Sequence, residues 1–370
     1  MLSALFKGTI DTRNKYFFNK EGLNNHKEFT NYKREELYMN FKLNKLLMLL
    51  MILLLSLALV VGCGGDNEEA AAENPAENEE AAENDEEDEV DEEDENDEEA
   101  DEEEEAIDTE ELVDRVTRAY FDSITTENST WNMMAFDAAL ENVENNPEDY
   151  FVVDMRGEED YAEGHFPGAV HIPYNQIADH MDRLPADKTI LVYCFTGQTS
   201  GQAIAAMQLM GFDAISLQGG MNFGWATLEL DDELLETEGT DLPESSNDWN
   251  EEQEVLIVEI HRYFTQGMNY IVRPDDELLE TLEGDVAVLD IRNEEVFEEG
   301  HIENAFLIPF GELGERMDEI PNDKPVYVTC FSGQTAGQAI LNLRLNGIDA
   351  YSLYRGMAGW NAEEMPVVTP

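Results

Sequence analysis

VYCFTGQTSGQA, residues 192–203, returns as VTCFSGQTAGQA, residues 328–339, with nine of twelve positions the same. The chain has only three cysteines, and two of them occupy the same place in this repeated stretch. An apolar run leads into each cysteine and a turn of small polar residues leads out. The likeness extends in both directions: Asp154, Arg156, Gly164, His165, Pro173, Cys194 and Gly220 each recur 136 positions later, as Asp290, Arg292, Gly300, His301, Pro309, Cys330 and Gly356. Both copies close on Gly-Trp, at Trp225 and Trp360, and the stretches RAYF and HRYF sit on helical patterns upstream of them. The chain is a duplication, and self-similarity of this length decides the architecture before any single element does.

Within each copy the elements alternate. YFVVDM and VAVLDI, TILVYC and PVYVTC, and FDAISL and IDAYSL are short β-branched apolar runs that read as buried strands. YNQIADHMDRL and FGELGERMDEI carry helical spacing. After each cysteine loop comes a further helix, with Thr199 or Thr335 as its expected N-cap and Gly211 or Gly347 as its stop. The expected fold is therefore α/β: two tandem domains, each a parallel sheet flanked by helices with right-handed crossovers. Ligands of such sheets bind beyond the carboxyl ends of the strands, where both cysteines stand.

A cysteine between a strand end and a helix start faces unpaired N–H groups and the positive end of the helix dipole, which favours the thiolate. Gly197 and Gly333 let the loop curl. If it wraps around the sulfur, successive N–H groups form a nest for a thiolate or persulfide.

Cys-x-x-Gly-x-Thr after a strand, with Asp-x-Arg on an earlier strand and Gly-His-x-x-x-Ala-x-x-Ile-Pro between, resembles the rhodanese family of sulfurtransferases. The likeness covers roughly 128–230 and 270–370, once per repeat. It implies that Cys194 and Cys330 take sulfane sulfur from a donor, become persulfides and pass the sulfur to a thiol or cyanide. It also implies substrate contacts from Phe195, Thr196, Gly197, Gln198, Thr199 and Ser200, and from Phe331, Ser332, Gly333, Gln334, Thr335 and Ala336. Gln198 and Gln334 face the loop mouth in the resemblance. Arg156 and Arg292 either orient loop and substrate or make structural salt bridges. The same resemblance leaves open a non-catalytic sulfur-binding or partner-binding module of the same fold.

Neither loop carries the Arg or Lys that many thiosulfate-using members have, so a polysulfide or organic persulfide is as good a donor candidate as thiosulfate. An oxyanion-gripping phosphatase or arsenate reductase would need Arg six positions after the cysteine, where Ser200 and Ala336 stand. No histidine and cysteine spacing suggests a metal site, and no cofactor is implied. Asp154 and Asp290 are expected to bond backbone or arginine, His165 and His301 to be structural, and Trp225 and Trp360 to be core. Cys194 and Cys330, each in its own pocket, are expected to be reactive thiols rather than a disulfide.

Charge narrows the partners. The formal net charge is −63, from 21 Lys plus Arg against 84 Asp plus Glu, which excludes nucleic-acid binding by phosphate neutralisation. From Asp66 to Glu105 there are 26 acidic residues and no Lys or Arg, the composition of an extended disordered tether. From Ala106 onward 53 acidic residues still face 12 basic ones, and a salt-rich medium that screens the repulsion is expected.

MNFKLNKLLMLLMILLLSLALVVGC, residues 39–63, has a basic start, an apolar run and a small-residue end, the layout of a secretory signal. Val60-Val61-Gly62-Cys63 resembles the lipobox of bacterial lipoproteins, which implies a diacylated Cys63, attachment to the cell membrane and an extracytoplasmic location. Residues 1–38 fit no part of that scheme and are expected to be a start-site artefact, with translation beginning at Met39. The expected organisation is then 39–62 signal peptide, 63–107 lipidated cysteine and tether, 108–236 first domain, 237–250 linker and 251–370 second domain.

Overall fold

The computed structural model describes residues 107–124, 130–228, 234–266 and 270–369. The expectations for the start-site segment, the signal, Cys63 and the acidic tether fall outside the described residues. The described residues all belong to one unit, 106–370.

The first repeat runs α1 (Thr109–Ser123), β1 (Met133–Met134), α2 (Phe136–Asn145), β2 (Tyr150–Asp154), α3 (Glu158–Glu163), β3 (Val170–His171), β4 (Thr189–Tyr193), α4 (Gln198–Leu209) and β5 (Ala214–Leu217). The second repeats it as α5 (Glu251–Thr265), β6 (Ile271–Val272), α6 (Asp276–Leu282), β7 (Ala287–Asp290), α7 (Glu294–Glu299), β8 (Ala305–Leu307), α8 (Leu313–Arg316), β9 (Val326–Thr329), α9 (Gln334–Leu345), β10 (Ala350–Leu353) and α10 (Gly356–Ala362). Each sheet has five strands, in the orders β1-β5-β4-β2-β3 and β6-β10-β9-β7-β8, and every pairing within them is parallel. Helices cover both faces, as the unbroken apolar strands require. In the first repeat Trp225 meets Phe136 and Phe166 edge-on beneath the sheet, and Trp360 fills the corresponding core of the second.

Two local readings change. The stretches after Pro173 and Pro309 are not α-helices of full length: the first forms two 3-10 turns, Tyr174–Gln176 and Ala178–Arg183, and the second forms α8 between two such turns. Pro173 and Pro309 stand at the entries, and Pro185 and Pro321 close the stretches by holding the residue before them extended, Leu184 at ψ 138° and Ile320 at ψ 125°. The cysteine helices are not capped by threonine either. Gly197 and Gly333 hold the N-cap positions at φ +83° and +90°, a left-handed conformation that glycine takes without strain, so Thr199 and Thr335 lie within the first turn. The stops at Gly211 and Gly347 are as expected, with φ +94° and +78°.

The repeats are fastened to each other through α4 and α9. A Cβ added at Gly201 would lie 2.4 Å from the Gln334 carbonyl oxygen, and one at Gly337 would lie 2.3 Å from that of Gln198, so the two backbones approach where neither carries a side chain. The leading helices are exchanged. Helix α1 docks on the second repeat, with Arg118 donating to the Gly314 carbonyl and Tyr120 Oη to Gln338 Oε1. Helix α5 docks on the first, with Tyr263 Oη donating to Gln202 Oε1 and His261 Nε2 meeting Asp179. The join lies along the first repeat, where Ser246 and Asn247 bond the Asp182 carbonyl, and an Asn250–Gln253 capping box opens α5.

Candidate active site

Each nucleophile candidate follows the last residue of a central strand, Cys194 after β4 and Cys330 after β9. The loop carbonyls are drawn away from the sulfur by the next segment of chain. The Cys330 and Phe331 carbonyls accept from Met357 N–H and Ala358 N–H, and the Cys194 and Phe195 carbonyls from Met221 N–H and Asn222 N–H. With carbonyls turned outward, the amide hydrogens of the loop turn in. Gly333 N–H donates to Cys330 Sγ at 3.0 Å and Ala336 N–H at 3.4 Å. This is the expected nest, and fixed N–H groups there stabilise negative sulfur without reorganising. At Cys194 the partner is a side chain instead: the sulfur lies 3.6 Å from Ser200 Oγ. Both thiols are free and buried.

Cys330 opens on a cavity of about 720 Å³. Phe331, Ser332 and Thr335 stand on its loop side, and Leu307 and Phe310 supply apolar wall. Trp131 and Met133 come from the first repeat, so this cavity is completed across the duplication. Nothing in the motif spacing points to them: they lie about two hundred positions upstream, outside any repeated motif, and reach the cavity only because the repeats are docked. Phe195 and Phe331 are exposed beside their loops, and Thr196 and Thr199 are half-buried along theirs.

The arginines are committed. Arg156 binds Asp154 through two nitrogens and donates to the Gly164 carbonyl; Arg292 repeats this with Asp290 and the Gly300 carbonyl. The structural salt bridge is therefore the reading that holds, although Arg292 also forms part of the cavity wall. Burial works against the Arg156 charge, but the bonds and charge of Asp154 outweigh it and hold the guanidinium above its usual value. Tyr193 Oη donates to Asp154, and burial, reinforced by that carboxylate, pushes the phenol well above its ordinary range, so it remains a donor. His165 and His301 are structural: each Nδ1–H donates to a carbonyl, of Tyr161 or Phe297, and each ring stacks on that residue's ring at 3.8 and 3.9 Å.

Gln198 and Gln334 require correction. Their side chains do not face the loop mouths but are fully buried and cross between repeats. Gln198 Nε2 donates to Ser352 Oγ and the Leu353 carbonyl, and Gln334 Nε2 to Ser216 Oγ and the Leu217 carbonyl. The α4–α9 crossing places each helix start against the strand end of the other repeat, and a buried amide there must find partners.

Comparison with known proteins identifies the family. The family described as Rhodanese-like domain matches residues 136–226 and 275–363. The chain is 39% identical over 77 residues to the thiosulfate sulfurtransferase GlpE of Pseudomonas fluorescens, covering 20% of this chain and 70% of that protein. It is 34% identical over 80 residues to a sulfurtransferase of Allochromatium vinosum, covering 21% and 74%. Across both repeats it is 29% identical over 258 residues to the 3-mercaptopyruvate sulfurtransferase of Escherichia coli, covering 56% of this chain and 85% of that one. The chain belongs to the rhodanese-like family, with two domains of that kind in tandem.

Proposed function

We propose that this protein moves sulfane sulfur through a persulfide on Cys330, with Cys194 as a second carrier, and that its donor is a polysulfide or organic persulfide rather than thiosulfate. The observation that carries this reading is the Cys330 sulfur held by two amide N–H groups at the floor of the cavity. The thiolate attacks the outer sulfur of the donor; a new S–S bond forms as the donor's S–S bond breaks, and the leaving thiolate departs with the electron pair. An acceptor thiolate then attacks the terminal sulfur, and Cys330 leaves as thiolate, ready for another cycle.

The donor class follows from charge. Thiosulfate brings two negative charges, yet both guanidinium groups at the cavity are already paired: Arg292 with Asp290, and Arg316 with Glu312 and Glu319. Trp131, Met133, Leu307 and Phe310 offer apolar surface to an organic group instead. With an alkyl persulfide as donor, KM is expected to be at least about tenfold below that for thiosulfate, roughly the difference made by leaving a charge without a partner on binding. A KM for thiosulfate equal to or below that of the persulfide contradicts the donor assignment. Absence of turnover with both, in salt-rich buffer, contradicts sulfurtransfer itself and favours the binding-module reading.

We also propose that the domains are held outside the cytoplasm by a diacylated Cys63 and the acidic stretch after it, in a salt-rich setting. The support is the sequence of residues 39–63 and the excess of 84 acidic over 21 basic residues. Radiolabelled palmitate fed to expressing cells is expected to label the protein and to be lost in Cys63→Ser. Equal labelling of that variant, or none in either, removes the anchor.

A further inference from the structure

The two cysteine loops differ six positions after the sulfur, where one has Ser200 and the other Ala336. Ser200 is fully buried, with Oγ 3.6 Å from Cys194 Sγ, 3.0 Å from the Gly197 carbonyl and 2.8 Å from Ser216 Oγ. Ser216, on β5, in turn meets Gln334 Nε2 from the second repeat. The orientation of the Gln334 amide is set by backbone on both sides. Its Nε2 also meets the Leu217 carbonyl, which can only accept, and its Oε1 meets Gly219 N–H, which can only donate. Nε2 therefore donates to Ser216. The Ser216 hydroxyl then has Ser200 Oγ to donate to, and the Ser200 proton is left with two acceptors, the Gly197 carbonyl and the Cys194 sulfur. The Gly197 carbonyl already receives Gly201 N–H at 2.9 Å, so it loses little when that proton turns away.

We infer that Gln334, Ser216 and Ser200 form a chain of donors that crosses from the second repeat into the first and delivers a hydroxyl hydrogen bond to the Cys194 thiolate. As a thiol, Cys194 donates S–H to Ser200 Oγ. When a solvent base takes that proton, the Ser200 hydroxyl rotates from the Gly197 carbonyl to the sulfur, with no covalent bond of serine made or broken. The second repeat has the same beginning, Gln198 Nε2 on Ser352 Oγ, but Ala336 ends the chain and the amides of Gly333 and Ala336 serve Cys330 instead. The two sulfurs are thus supported by different donors, and the first depends on the presence of the second repeat. Ser216 and Gln334 act as positioning residues for the Ser200 hydroxyl.

The biological meaning of this arrangement rests on Cys194 being a nucleophile, but its test uses no sulfur donor, so its failure is separate from failure of sulfurtransfer. The full chain is alkylated with iodoacetamide at one fixed pH, and the Cys194 and Cys330 peptides are quantified by mass spectrometry in the same sample. Ser200→Ala is expected to slow Cys194 about tenfold, because a charge-assisted bond to the thiolate is lost while the less-bonded thiolate recovers part of the rate through higher nucleophilicity. Cys330 serves as the internal control and keeps its rate within about twofold. Ser200→Thr, which keeps the hydroxyl, is expected to stay within about threefold of the parent. Ser216→Ala, which leaves Ser200 beside the sulfur but removes its donor, is expected to slow Cys194 about threefold. Alanine stands natively at the matching place in the other loop, so Ser200→Ala retains the fold. An unchanged Cys194 rate in Ser200→Ala, equal slowing of both cysteines, or failure of Ser200→Thr to restore the rate overturns the assignment; an unchanged rate in Ser216→Ala overturns the chain beyond Ser200.

Discussion

Sulfane-sulfur turnover is expected to fall by about a thousandfold or more, to the uncatalysed background, when Cys194 and Cys330 are both replaced by serine. The hydroxyl occupies nearly the same space and keeps a hydrogen-bonding group, beside the Gly333 and Ala336 amides at position 330 and beside Ser200 at position 194, so the fold stays intact. What is lost is a polarisable anion that can carry an additional sulfur atom. Cys330→Ser alone is expected to remove the greater part of the rate, because that sulfur has two amide donors and the cavity, and the residue that survives belongs to Cys194. Steady-state rates of the two single variants and the double variant check this. A double variant that keeps more than about a tenth of the parent rate would place the chemistry elsewhere in the chain.

Asp290→Ala is expected to lower stability by about 3 kcal/mol, and the melting temperature by roughly 10 °C. Asp290 is fully buried, and its carboxylate accepts from both the guanidinium and the main-chain N–H of Arg292, which is itself buried. Removing the carboxylate leaves a guanidinium without its counter-charge in a place water hardly reaches, its remaining partner being the Gly300 carbonyl. Asp290 also pairs in register with Thr329, the residue before Cys330, so the same change loosens the wall of the cavity. Asp290→Asn, which keeps an acceptor but not the charge, is expected to fall between. Urea unfolding of the three proteins decides the matter: a loss below about 0.5 kcal/mol for Asp290→Ala would mean the pair is worth no more than one on the surface.

Most of the scaffold was legible because the duplication shows it twice. Strands buried on both faces announce themselves as Val- and Ile-rich runs, and the cysteine stands at their carboxyl ends by chain order alone. Strands β1, β3, β6 and β8 have only two or three residues each, too few to show any periodicity, and they are held by the neighbours they pair with. The site was legible in its loop and not in its surroundings. Gln198 and Gln334 lie within the cysteine motif and so read as substrate contacts, yet the approach of two glycine-bearing helices turns both into the lining of an internal seam. Trp131 reaches the second sulfur's cavity through the same docking. Both facts depend on how one repeat sits on the other, a relation that motif spacing within a repeat does not encode.

The most direct test is to expose the full chain to one equivalent of an alkyl persulfide and map the cysteine peptides by mass under non-reducing conditions. The account predicts one added sulfur atom on the Cys330 peptide, removed again by a thiol acceptor. Consumption of the donor with no sulfur on that peptide would contradict it.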